Sequence, residues 1–72
     1  MSLMIFKTNI KSRRKARMFG AIFRRHPFIY TWSIDFEDVD KVLRIESASD
    51  LQSDAVVQLV TNHGFICEDL PD

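Results

Sequence analysis

The sequence predicts a single α+β domain with the order strand, helix, strand, strand, helix, strand. Three observations predict it: two amphipathic segments of helical spacing, four short β-prone runs, and their alternation along 72 residues without a linker. A chain of this size buries roughly 60–65% of its unfolded surface, enough for one core and too little for a deep catalytic cleft. One domain, 1–72, is therefore expected, with Met1–Leu3 read as an expression leader ahead of a native Met4.

The first run, "LMIFKTNI", sets Met4, Phe6 and Thr8 against Ile5, Lys7 and Ile10, as a half-buried strand does. From Ser12 the spacing becomes helical. Ala16, Phe19 and Phe23 recur at intervals of three and four with Ile22 beside them, while Arg13, Arg14, Arg17, Arg24 and Arg25 take the other faces. Ser12 is suited to the N-cap, and Pro27 ends the helix near His26. Gly20 weakens this helix by about 1 kcal/mol relative to Ala unless something packs closely against it.

"IYTWSID" is aromatic and β-branched, with Trp32 and Ile34 on one face. "FEDVD" is a polar connection of hairpin size, after which "KVLRIES" alternates Leu43 and Ile45 with Arg44 and Glu46. "SDAVVQLVTNHG" reads as a second helix with Ser53 as N-cap and Asp54 near its positive end. Val56, Leu59, Val60 and His63 are expected on its inner side, and Gly64 as its left-handed cap. "FICEDL" supplies the last strand. The result is the ferredoxin-like βαββαβ plan, a four-stranded antiparallel sheet with two helices on one face.

In pattern and length the chain resembles the heavy-metal-associated domains of copper chaperones and metal-pumping ATPases. Asn9-Ile10-Lys11-Ser12-Arg13-Arg14-Lys15 falls on that family's Gly-Met-x-Cys-x-x-Cys loop. Phe19 and Phe23 fall on the apolar positions of its first helix. Ile29, Trp32, Ile34 and Asp35 fall on its Val-x-x-Val-x-Val-Asp strand, and Leu51, Val56, Val60 and Gly64-Phe65 on its second half. The resemblance implies that His63 and Phe65 neighbour the loop of Ser12, Arg13, Arg14 and Lys15.

Both metal-binding cysteines of that family are replaced, by Ser12 and Lys15. Polarizable thiolates suit a soft ion such as Cu(I), whereas a serine hydroxyl does not, and Lys15 puts a cation where the metal would sit. Arg13 and Arg14 add to the repulsion. The resemblance therefore implies a degenerate, non-enzymatic member, acting as a protein-interaction module. The alternative is a copper- or zinc-binding or transport protein using atypical or partner-shared ligands.

Formal charge is zero, yet residues 1–34 carry eight Lys or Arg and no acid, and residues 35–72 carry ten acids against Lys41 and Arg44. The halves are thus +8 and −8. A helix beginning near Ser12 points free N–H groups at its basic loop, which suits phosphate, a carboxylate partner or a nucleic-acid backbone. The simpler reading is a solvated helix end. Expected partners are a protein with an acidic surface or a second copy in weak self-association. Nucleic acid ranks a distant third, because the acidic half repels phosphate and no RNA-recognition motif accompanies the aromatics.

Cys67 is the only cysteine, which rules out an intramolecular disulfide and fits a cytoplasmic protein. His63 and Cys67 are weak metal candidates, since two ligands do not close a structural zinc site. "DFEDVD" lacks the glycine and length of a calcium loop and reads as a solvated turn. No catalytic constellation, cofactor or membrane insertion is expected.

Overall fold

The computed structural model describes residues 1–70. Its elements are β1 (Ser2–Thr8), α1 (Arg13–Arg25), β2 (Ile29–Asp35), β3 (Val42–Ser47), α2 (Ser53–Thr61) and β4 (Cys67–Asp69). All strand pairs are antiparallel, in the order β2-β3-β1-β4. This is the ferredoxin-like arrangement. Ser2 and Leu3 belong to β1, opposite Ser47 and Glu46.

Register determines the buried face. Phe6 lies opposite Leu43, and Met4 and Trp32 flank Ile45 from either side. Directly opposed residues share a face, so these side chains line the surface that the helices cover. Ala16, Phe19 and Phe23 come down from α1 and Val56 and Val60 from α2. Phe6, Phe19, Phe23, Leu43, Ile45, Val56 and Val60 are fully buried. Side chains of this kind each contribute about 1.5–3 kcal/mol on burial.

The start of α1 is built locally. Ser12 has extended backbone angles (φ −125°, ψ 146°), and its hydroxyl accepts the Lys15 N–H at 3.1 Å. At the other end, Arg24 and Arg25 occupy the last turn, where cations complement the helix dipole. Gly20 is buried in mid-helix against the Trp32 ring, and Phe23 meets the same ring at 5.5 Å between centroids.

Two expectations for α2 need correction. Ser53 is the first residue of the helix, not its cap; Gln52 holds that position and makes no side-chain cap bond. Burial of Leu51 fixes the approach of the chain, and the Gln52 carbonyl already accepts the Ala55 N–H at 3.1 Å. His63 is exposed, not an inner residue. The helix ends at Thr61, so helical periodicity no longer carries His63 inward. Gly64 then takes the left-handed conformation (φ 85°).

Candidate functional site

The segment between β1 and α1 is fixed from both sides. Thr8 is buried; its hydroxyl donates to the Lys41 carbonyl at 2.7 Å and accepts the Ile10 N–H at 3.2 Å. Ile10 is fully buried, which anchors the chain just before the basic residues. Asn9 adds a long-range tie, its Oδ1 accepting the Ile66 N–H at 2.8 Å. The start of α1 is therefore held against the segment that follows α2.

Ser12 is committed to capping, and the three cations after it are exposed. Two of them rest on aromatic rings. Arg13 Cζ lies 5.1 Å from the centroid of Phe36, and Lys15 Nζ lies 5.7 Å from that of Phe65. Exposed cation–π contacts of this kind are worth about 0.5–1 kcal/mol each. Arg13, Arg14 and Lys15 nevertheless crowd the positive end of the helix dipole, with no acid in the first turn.

Phe65 thus adjoins Lys15 directly. His63 meets Phe19 at 5.7 Å between centroids, and Phe65 meets Phe19 at 5.3 Å. The His63 Nδ1 is 2.8 Å from the Leu59 carbonyl oxygen, so a protonated Nδ1 donates to it. Cys67 sits on β4 opposite Thr8 and is buried. Its thiol is pushed up from 9.0 to about 12, by burial first and then by the charges of Asp69 and Glu68. A thiol held protonated in this way is a poor metal ligand. Among the described residues no three His, Cys, Asp or Glu side chains converge as a metal cluster.

The acidic connection 36–41 is an internally bonded turn. Asp35 Oδ1 accepts the Glu37 N–H at 3.1 Å, and Asp38 Oδ1 accepts the Asp40 N–H at 2.9 Å. Lys41 adopts φ 45°, and its ammonium turns back onto the Phe36 carbonyl at 2.7 Å. Side chains spent on the backbone are typical of Asx turns.

Sequence reasoning missed one feature. A groove of about 380 Å³ runs between α1 and β2, walled by Arg13, Arg17 and Arg24 and lined by Trp32, Phe36 and Gly20. The ion pair recorded among the described residues joins Lys7 to Asp40, leaving these guanidiniums without a carboxylate there. The signal was present: Arg13, Arg17 and Arg24, spaced by four and seven, share a helix face. Phe36 was concealed by its acidic neighbours.

Fold and site together define a small ferredoxin-like domain with a basic, aromatic-backed helix start and no converging metal ligands among the described residues. No family model matches the chain, and no curated protein matches it. One solved structure, described as "Crosstalk between Cu(I) and Zn(II) homeostasis", is similar to it with a TM-score of 0.80 at 8% identity, over 97% of this chain and 100% of that one. At that identity the likeness shows the fold. Among the described residues no helix is long and apolar enough to cross a membrane.

Proposed function

We propose that this chain is a non-enzymatic, heavy-metal-associated-like domain whose two-thiolate site has been replaced by a basic surface for protein interaction. One observation carries the reading. Of the two positions that fall on the family's cysteines, Ser12 is spent on the Lys15 N–H and Lys15 stands over Phe65. Arg13 and Arg14 between them surround the place with positive charge, which opposes a cation and attracts carboxylates. The partner is a cytoplasmic protein with an acidic surface. The discriminating experiment is anaerobic titration of the reduced protein with Cu(I) and Zn(II), beside capture assays on the wild type and the Arg14→Glu variant. Weak metal binding with capture lost on reversal supports the proposal; tight stoichiometric binding overturns it.

A second reading is favoured by the similar structure concerned with Cu(I) and Zn(II) homeostasis. In it this chain carries copper or zinc with ligands shared by a partner, His63 being the exposed contributor. That reading requires affinity to appear only when the partner is added, and loss of that affinity in His63→Ala.

A further inference from the structure

We infer that a second copy of this chain docks through two reciprocal contacts, the acidic turn 36–41 of each copy entering the α1/β2 groove of the other. The inference rests on the interaction-module reading but uses the groove beside the loop at Ser12–Lys15, with which it shares Arg13.

The groove offers three guanidiniums with no carboxylate partner among the described residues, above an aromatic lining. It calls for an acidic segment with an apolar point. The turn is such a segment. Val39 is 89% exposed at its tip, between Asp38 and Asp40, with Glu37 exposed one residue earlier. The hydrogen bonds that Asp35 and Asp38 accept and Lys41 donates hold that tip in shape, so little ordering entropy is lost on docking. The Lys41 ammonium is turned onto the Phe36 carbonyl and Asp40 is paired with Lys7, which leaves Glu37 and Asp38 to carry the charge of the tip.

Adjacency points to a second copy as the occupant. Phe36 lines the groove and also opens the turn, so donor and acceptor surfaces adjoin on one molecule. In a two-fold dimer residue i meets j while j meets i, and neighbouring complementary patches permit both contacts across one axis. Glu37 and Asp38 follow the groove residue Phe36 directly in the chain, so a nucleic acid entering the groove would meet repelling carboxylates. An unrelated acidic protein would leave those carboxylates facing its own. A two-fold copy brings its arginines to them, so both signs are matched. A standard interface covers about 800 Å² per partner, against 4857 Å² for this whole chain. Contacts confined to one turn and one groove per copy give a weak, exchanging dimer.

Sedimentation equilibrium on the full chain tests this across protein concentration and NaCl, with circular dichroism to establish folding. The wild type should dimerise at low salt and dissociate as salt rises. Reversing exposed groove residues (Arg17→Glu with Arg24→Glu) or the turn (Glu37→Arg with Val39→Arg) should each weaken self-association by about tenfold or more. Mixing the two reversed variants should restore a dimer, because each then presents the charge the other lacks. If either reversal fails to fold, Arg17→Gln with Arg24→Gln should still show the loss. Arg14→Glu should leave dimerisation unchanged, which separates this inference from the loop-capture reading. A wild type monomeric at every concentration and salt overturns the inference, as does a dimer indifferent to both reversals or a mixture that stays monomeric.

Discussion

A methyl group placed on Gly20 would lie 3.0 Å from Cζ2 of Trp32. The glycine that weakens α1 as a helix is therefore what lets β2 approach it. Gly20→Ala should gain up to about 1 kcal/mol of helix propensity and lose about 1–3 kcal/mol to overpacking. A net loss is expected because Phe23 braces the indole from another side. Thermal melts should show a lower Tm for Gly20→Ala alone, and no loss in a Trp32→Phe background where the clashing atom is absent.

Trp32 itself is half-buried, with its ring both on Phe23 and at the groove. Truncating a fully buried aromatic costs about 3–5 kcal/mol; retained exposure lowers the expectation for Trp32→Ala to about 2–3 kcal/mol. Urea denaturation reads this directly. An unchanged midpoint would mean that the contact with α1 does not contribute.

The first turn of α1 predicts stability and binding moving in opposite directions. Arg14→Glu replaces a cation with an acid at the positive end of the dipole and should stabilise the domain by about 0.3–1 kcal/mol. The same change should weaken capture of an acidic partner. Ser12→Ala should instead cost about 0.5–2 kcal/mol through the lost cap. Destabilisation by Arg14→Glu would show that Arg14 makes a favourable contact in the folded chain.

Installing two thiols at the same turn tests its kinship. Ser12→Cys with Lys15→Cys, combined with neutral residues at 13 and 14, should bind Cu(I) with a stoichiometry of about one, since two thiolates suit a soft ion. No gain over the wild type in anaerobic titration would separate this loop from the metal-binding one it resembles.

Cys67 predicts an alkaline instability. Its folded pKa, about 12, stands above the ordinary 9.0, so the folded chain holds the proton more tightly than the unfolded one. The contribution is full below pH 9 and is lost as pH rises from 9 towards 12. Denaturation midpoints of wild type and Cys67→Val should diverge less at pH 7 than at pH 10, with the wild type falling further. At neutral pH the thiol should resist alkylation until the chain unfolds.

The sequence by itself determined the element order, the fold class and the inward faces of β1, α1 and β3. Each follows from a local period: Ala16, Phe19 and Phe23 recur as a helix requires, and Leu43 and Ile45 alternate as a strand requires. It also marked Ser12 as a cap and Gly20 as a weak point of the helix unless closely packed, because both are properties of a single residue type in a known setting. His63 escaped that logic, since the helical period stopped at Thr61 before reaching it. Only the tertiary structure decided that Phe36 lies beneath Arg13, and that Phe65, which the family resemblance set beside the loop, lies under Lys15 in particular. It alone opened the groove between α1 and β2. These relationships join residues far apart along the chain, and no period carries them; they arise when the sheet's register and the helix packing bring separate surfaces together.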